Sequence, residues 1–355
     1  MRIAVVLEDP PPHADRAGAV RLDRFARRFA DCGHDVTVYC AGWWDHDRRR
    51  IEEEGVTFEA VTVAPARTSY LARVPALLAR DRPDAVVVSP SPPGAAVAAS
   101  LGGRLARAPV VCDWFGDESG PDDPRRWVPA ARAPSVVVTP SELRRTRVRE
   151  LGADDAGTAV IPQSIDFPRV AETPPRGRDG PRVVYARRLD GAANLRSLLL
   201  ALAELRSRND WTATVIGDGP ARADHEQQAD DLGIGDRMAF AGDVDREARI
   251  GTYRAADAFV QTASREQFAE ELLWALAAGC VGVVEYQADS SAHELLEGHD
   301  RAIRVTESAA LDGAIEEAWT FVHSDLAESM CEYDHAAVAG DYVELFRACG
   351  VDARC

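Results

Sequence analysis

The stretch Ser264–Gly279, SREQFAEELLWALAAG, holds the residues whose types and spacing most directly suggest chemistry. An apolar run, ADAFVQTA, precedes it and another, CVGVVEY, follows it. Ser264-x-x-Gln267 has the form of a capping box and Gly279 that of a helix stop, so the pattern predicts strand, loop, helix, strand. Glu266 then lies at the mouth of a strand–loop–helix unit, where open α/β sheets gather their ligands. A carboxylate there can accept hydrogen bonds from the hydroxyls of a sugar or a ribose. It can equally serve only its own helix, as an anion at the positive end of the macrodipole. Arg187 and Arg188 follow a further apolar run, VVYA, and a guanidinium can hold a diphosphate through two parallel hydrogen bonds. Their plain alternative is surface arginine in an Arg-rich chain. In the first half, CDWFGDE offers Asp113 and Asp117 at a strand end. A carboxylate there can position an acceptor hydroxyl or take its proton, or be one more loop acid in an acid-rich chain.

The elements that must position these residues alternate. RIAVVL at residues 2–7 is a short apolar strand of the kind buried on both faces of a parallel sheet. An amphipathic helix over Val20–Cys32 follows, with Leu22, Phe25, Ala26 and Phe29 inward and Arg21, Arg24, Arg27 and Arg28 outward. Gly33-His34 ends it and Val36–Cys40 is the next strand, completing a βαβ unit. Trp43-Trp44 reads as an exposed aromatic pair. The alternation continues to residue 162, then restarts at Arg182 after FPRVAETPPRGRDGP, which carries four prolines and no apolar period. The expected layout is a first domain over 1–167, a linker over 168–181, a second domain over 182–332, and a final helix over 333–355 packing back toward the first domain. Strands alternating with helices in both halves imply two doubly wound, Rossmann-like α/β domains.

Composition narrows the function classes. The 355 residues carry a net charge of −17, and all 41 cationic residues are arginine. Residues 1–170 hold 23 Arg against 24 acids, whereas residues 171–355 hold 18 against 34. Such a chain lacks the basic stripe that nucleic acid requires. An acidic, lysine-free surface suits a salt-rich cytoplasm and points to a halophilic source. The first half alone is neutral enough to approach an anionic surface, and its Arg-rich helices at 21–28 and 144–149 are the candidates for a membrane contact. No apolar run is long enough to span a bilayer, and the start does not read as a signal peptide, so a cytoplasmic location is expected. The seven cysteines form no CxxC pair and the eight histidines no metal-binding spacing; the cysteines read as reduced and no metal site is expected. No GxGxxG follows either opening strand, which disfavours a nicotinamide dehydrogenase.

Several stretches, taken in order, resemble the GT-B glycosyltransferases of the retaining family 4, which are glycogen-synthase-like. They are GHDVTV (33–38), PDAVVV (83–88), PSVVVTPSE (134–142), VIPQSID (160–166), ARRL (186–189), VIGDGP (215–220), LGIGDRMAFAGDV (232–244), YRAADAFVQTASREQF (253–268), ALAAG (275–279) and HEL (293–295). The resemblance implies a GT-B fold, with two Rossmann-like domains facing across a cleft. The second would hold a nucleotide diphosphate sugar and the first an acceptor. It places Glu266 at the donor sugar as the first Glu of a Glu-x7-Glu motif. Arg188, with Arg187 beside it, falls on the diphosphate. Ser290-Ser291 falls where the family has a Gly-Gly pair opening a helix whose amides meet the phosphates. Gly217, Phe268 and Glu294 fall in the same donor-binding runs. Three departures accompany the match: the second motif Glu is Trp274, the phosphate Lys is Ala193, and the first-domain His is absent, leaving Asp113 as the acid there.

The expectation is therefore a hexosyltransferase acting with retention on a hydroxyl acceptor, a glycan or a lipid-linked glycan. Glu266, Arg188 and Asp113 would carry the chemistry, with no cofactor beyond the donor substrate. The competing expectation is a weakened or inactive GT-B-like binding or scaffold protein, because Trp274 and Ala193 replace polar groups. Another GT-B enzyme, a nucleotide-sugar epimerase, would need an acid–base set of its own.

Overall fold

The structure is a computed structural model that describes residues 1–13, 16–45, 48–117, 123–177, 180–208 and 210–354. Residues 14 and 15 of the first loop, 178 and 179 of the expected linker, and Cys355 lie outside the described residues. The chain divides into two compact units, residues 1–163 with 335–355, and residues 164–334.

Short apolar runs build the first unit. Its elements are β1 (Arg2–Val6), α1 (Ala17–Asp31), β2 (Asp35–Ala41), β3 (Arg50–Glu53), β4 (Val56–Thr62), α2 (Arg67–Asp81), β5 (Ala85–Val88), α3 (Ala95–Ala106), β6 (Val110–Asp113), α4 (Val128–Arg132), β7 (Val136–Thr139), α5 (Glu142–Glu150) and β8 (Thr158–Val160). The sheet order is β3-β4-β2-β1-β5-β6-β7-β8. All pairings are parallel except β3–β4, an antiparallel hairpin at the edge. One face of the sheet packs Leu22, Phe25, Ala26 and Phe29 of α1; the other packs Tyr70, Val74 and Leu78 of α2 with Ala95, Ala96 and Ala99 of α3.

Three local expectations change here. Arg21 is not an outward residue of α1 but is 5% exposed, because it meets Asp113 inside the unit. Trp43 and Trp44 are half-buried, with the Trp43 ring against Phe58 at 5.0 Å, so they belong to the core rather than to an exposed pair. Cys32 is disulfide-bonded, against the all-reduced reading, while Cys40, Cys112 and Cys280 are buried free thiols.

The second unit begins with α6 (Phe167–Glu172). Asp166 caps this helix through Arg169 N, and Val170 is fully buried. The segment expected as a linker thus opens as helix, because a capping aspartate and one buried valine suffice to order its first turn. Then follow β9 (Val183–Ala186), α7 (Leu195–Glu204), β10 (Ala213–Ile216), α8 (Arg222–Asp231), β11 (Met238–Gly242), α9 (Arg246–Arg254), β12 (Ala258–Gln261), β13 (Arg265–Glu266), α10 (Glu270–Ala277), β14 (Val281–Glu285), β15 (Asp289–Ser290), β16 (Ala302–Val305) and α11 (Leu311–Ala318). The main sheet runs β11-β10-β9-β12-β14-β16, all parallel, and β13 pairs with β15 in a separate two-stranded ladder. After it the chain returns to the first unit as α12 (His335–Ala348), whose Val338, Tyr342, Val343 and Phe346 join the core beside α1. No helix among the described residues is long and apolar enough to cross a membrane.

Candidate active site

In the second unit the central strands β10, β9, β12 and β14 deliver their carboxyl ends side by side, the position where open parallel sheets bind ligands. Arg187 and Arg188 follow β9, Gly217 follows β10, and Thr262 to Glu266 follow β12. The turns after β9 and β10 touch backbone to backbone. Gly217 has φ +120°, and a Cβ there would stand 2.1 Å from the Arg187 carbonyl oxygen; one at Gly219 would stand 2.2 Å from that of Leu189. Glycine is required at both places for the Arg187 turn to sit where it does.

Glu266 is held by a short ladder rather than by a helix. The expected helix from Ser264 does not form; α10 starts at Glu270, with Ala269 as an N-cap that makes no side-chain bond. Ser264 is drawn away from the capping role, donating from its amide (3.0 Å) and its hydroxyl (3.3 Å) to the Ala192 carbonyl. Residues 265–266 instead pair with 289–290, Glu266 opposite Ser290, and the Ser291 amide donates to the Glu266 carbonyl at 3.0 Å. Arg187 Nη1 donates to Glu266 Oε2 and to the Arg265 carbonyl, both at 2.8 Å. The two side chains are 16% and 22% exposed. Burial pushes the Glu266 carboxyl up to about 7, against the opposing pull of Arg187 and the Gln267 amide; Asp190 and Glu270 push it further up. Arg187 Nε is buried with no partner among the described residues. Arg188, by contrast, is exposed and makes no side-chain bond among the described residues.

A second layer ties the strand ends together, and sequence reasoning missed it. Asn194, left-handed at φ 50°, donates from Nδ2 to the Thr262 carbonyl (2.9 Å) and to Glu285 Oε2 (3.2 Å). Thr262 Oγ1 donates to the Asn194 carbonyl at 2.8 Å, and Ser308 donates to Glu285. The signal available in the sequence was an Asn before an apolar helix, but its partners lie 68 and 91 residues away.

Some expected site residues take different roles. Ser290 and Ser291 are each 2% exposed. The helix expected after them is a 3-10 turn over Ala292–Leu296. Their amides donate to the Gln287 and Glu266 carbonyls, and Ser291 Oγ donates to the Gln267 carbonyl. The Ser290 amide is spent on a local turn and the Ser291 amide on the neighbouring strand, so neither of these two amides is free for an anion, unlike the phosphate-binding expectation. Phe268 is 7% exposed and packs inward. Glu294 is half-buried within the 3-10 turn. Ala193 is fully buried, its carbonyl accepting from the Tyr185 hydroxyl at 2.6 Å, and its methyl side chain supplies no cation at this position. Trp274, 4% exposed, donates from Nε1 to Glu270 Oε1 at 3.4 Å, with the Arg246 guanidinium 4.7 Å from its ring centroid.

Asp113 belongs to the first unit and is not an open base. It is 3% exposed and both its oxygens lie 3.0 Å from Arg21 Nε. Arg21 also donates to the Ile161 and Pro162 carbonyls, to Gln163 Oε1 and to the Tyr342 hydroxyl, and Tyr342 donates to Asp113. Burial alone would lower the Arg21 guanidinium, but Asp113 and Tyr342 more than reverse this and hold it above its ordinary value. Such a network fixes α1, β6 and α12 to one another. Asp117 is nearer the surface and accepts from the Gly18 amide in the first turn of α1 at 3.0 Å. Among the described residues no group of three or more His, Cys, Asp or Glu side chains is arranged to hold a metal ion.

The family description "Glycosyl transferases group 1" matches residues 168–320, and "Glycosyl transferase 4-like domain" matches residues 17–163. Both halves of the chain thus match glycosyl transferase families, and the chain is a glycosyltransferase. The transferase is 27% identical over 286 residues to the GDP-mannose-dependent α-(1-6)-phosphatidylinositol monomannoside mannosyltransferase of Mycolicibacterium smegmatis, covering 72% of this chain and 71% of that protein. It is 26% identical over 166 residues to the 2-deoxystreptamine glucosyltransferase of Streptomyces kanamyceticus, a match that spans 43% of each chain. In fold it is similar to HepE of Anabaena in complex with UDP, with a TM-score of 0.75 and 19% identity over 98% of this chain and 99% of that one. It is likewise similar to a glycosyltransferase of Rickettsia africae, with a TM-score of 0.76 and 15% identity over 99% of each. These structural likenesses establish the GT-B fold for the transferase.

Proposed function

We propose that this glycosyltransferase moves a hexose from a nucleoside diphosphate sugar to a hydroxyl of a glycan or lipid-linked glycan, with retention at the sugar carbon. The observation that carries the reading is Glu266, presented at the carboxyl ends of β9 and β12 by Arg187 and by the ladder with 289–290, with the unpaired Arg188 alongside. In its ionised form Glu266 accepts hydrogen bonds from the donor's sugar hydroxyls and fixes the ring. Arg188 meets the diphosphate with two parallel donors and offsets the charge that develops as it departs. The mechanism routes no step through a metal. Support for the donor class comes from relatives: the mycobacterial protein is named for GDP-mannose, and HepE was crystallised with UDP and with UDP-glucose. The same mycobacterial name supports a lipid-linked acceptor. Retention follows the likeness to the retaining family 4. The acidic, lysine-free composition supports a cytoplasmic enzyme of a salt-rich cell, working at the inner face of the membrane through its first unit.

One set of observations favours the alternative of a binding protein without turnover: the positions of the family's phosphate Lys and second Glu are buried and are held by the uncharged Ala193 and Trp274. A single experiment separates the two. UDP- and GDP-sugars are screened by thermal shift in high salt, and positive donors are then tested for hydrolysis and transfer with Glu266→Ala and Arg188→Ala beside the wild type. Binding and transfer that both variants abolish support the transferase reading. Binding without either reaction supports the binding protein. No binding by any donor refutes both.

A further inference from the structure

Seven large apolar side chains are exposed among the described residues, and three of them sit on α3: Val97 (40%), Leu101 (53%) and Leu105 (61%). Their spacing of four residues lines them up along one face of the helix, with Arg104 beside them. The opposite face of α3 is in the core. The crossing with α2 is tight, since a Cβ on Gly102 would stand 2.9 Å from Leu78 Cβ and 3.0 Å from Pro75 Cα. The stripe is therefore a fixed feature of the surface.

Charge singles out the same region. Between Glu59 and Asp113 the sequence has six arginines and two acids, in a chain of net charge −17. Both acids are engaged: Asp81 with Arg80 and Asp84 with Arg2. Arg82, Arg104 and Arg107 are exposed and make no ion pair among the described residues. Arg82 and Arg107 end α2 and α3 in left-handed conformations, φ 47° and 62°, and with Arg2, Leu105 and the acids Asp84 and Asp352 they line an open pocket of about 840 Å³, three arginines against two carboxylates. The helices that looked basic in the sequence behave differently. On α1 Arg21 is buried and Arg27 pairs with Asp23, Glu53 and Glu54; on α5 Arg145, Arg147 and Arg149 pair with Glu142, Glu150 and Asp155.

We propose that the α3 stripe, with Arg82, Arg104 and Arg107, docks on an anionic phospholipid surface. Val97, Leu101 and Leu105 enter the boundary between headgroups and acyl chains, while the arginines reach lipid phosphates on their long stems. The occupant is chosen by charge. A symmetric dimer through this face would set the same unpaired arginines of two copies against each other. The inference rests on the membrane contact proposed above and moves it from the Arg-rich helices to α3.

The test is co-sedimentation of the full chain with vesicles of phosphatidylglycerol and phosphatidylcholine, and with phosphatidylcholine alone, in low and in molar salt. The wild type is expected to bind the anionic vesicles preferentially. Leu101→Ser with Leu105→Ser should weaken binding at least about tenfold in both salts, because apolar burial survives screening. Arg104→Glu with Arg107→Glu should weaken it about tenfold in low salt and little in molar salt. Arg145→Ala on α5 should bind like the wild type. UDP and GDP binding, measured on the same preparations, reports separately on the donor site and shows that each variant is folded. Stripe variants that sediment like the wild type, or a wild type that ignores anionic vesicles, overturn the proposal. So does a self-association that the leucine variants abolish in the absence of lipid.

Discussion

Glu266→Gln tests the electrostatics of the site without touching a substrate. In the folded protein burial raises this carboxyl from 4.5 to about 7. The fold therefore binds the proton more tightly than the unfolded chain does. The associated stability is complete below the unfolded value of 4.5 and is lost as pH rises through 7. A shift of this size corresponds to about 3 kcal/mol at most, at roughly 1.4 kcal/mol per pH unit. Glutamine keeps the shape of the protonated acid and cannot ionise. Relative to Glu266→Gln, the wild type should thus lose stability between about pH 5 and pH 8, approaching that limit. The comparison concerns the change with pH, so any constant offset from the lost contact with Arg187 cancels. Urea denaturation of both proteins at fixed high salt, repeated across this range, gives the difference directly. A gap that stays constant from about pH 5 to pH 8 would falsify the account, since the carboxyl would then titrate near its ordinary value. The same titration carries a functional signature: donor affinity of the wild type should rise with pH around 7 as Glu266 becomes a hydroxyl acceptor.

Arg188→Ala removes a side chain with no partner among the described residues, so stability should change by less than about 0.5 kcal/mol while donor affinity falls roughly ten- to a hundredfold, both read by thermal shift with and without donor. Gly217→Ala forces a Cβ onto the Arg187 carbonyl from a left-handed backbone; it should cost more than about 2 kcal/mol in urea denaturation and weaken donor binding with it. Asp113→Ala leaves Arg21 buried without its counter-charge and should cost about 3–5 kcal/mol, whereas turnover per folded molecule should hold; a selective loss of turnover would restore Asp113 as a base. Tyr342→Phe removes one hydroxyl from the same network and should cost about 1–3 kcal/mol by the same assay.

The parts of this molecule that are legible in its sequence are those decided by near neighbours. Runs such as RIAVV and VVYA are buried on both faces and could only be central strands, so two alternating α/β units follow. The edge strand β3, RIEE, carries no such run because three of its four residues are exposed, and nothing in the pattern announces it. Arg21 shows the limit of periodicity. The helical pattern assigns it to solvent, and a carboxylate 92 residues away brings it inside. Ser264 shows a second limit: the capping box is present in type and spacing, yet the serine is taken by the Ala192 carbonyl and the helix starts only at Glu270. In both cases a local preference worth about 1 kcal/mol is overruled by contacts the sequence does not order.

The same reasoning bears on the two substitutions that separate this chain from the family pattern. A polar group lost from a donor site would leave an opening if the surrounding fold were unchanged. Here Ala193 is fully buried, with its backbone carbonyl taken by the Tyr185 hydroxyl, and Trp274 packs under Arg246 with Glu270 at its indole nitrogen. Each replacement is buried as part of the core, so reinstating the family residue should not restore a function. Ala193→Lys would bury an unpaired ammonium and should unfold the second unit or shift the lysine to its neutral form, at a cost of several kcal/mol. Arg188→Lys keeps a charge at an exposed position and should cost the fold almost nothing. If the donor's phosphates are met by the geometry of one guanidinium, that exchange should still lower donor affinity markedly, because an ammonium cannot supply the paired donors. Equal donor affinity of the wild type and the Arg188→Lys variant in the thermal-shift titration would show that charge alone is read at this position, and Arg187, with its unpartnered Nε, would then be the group to examine at the diphosphate.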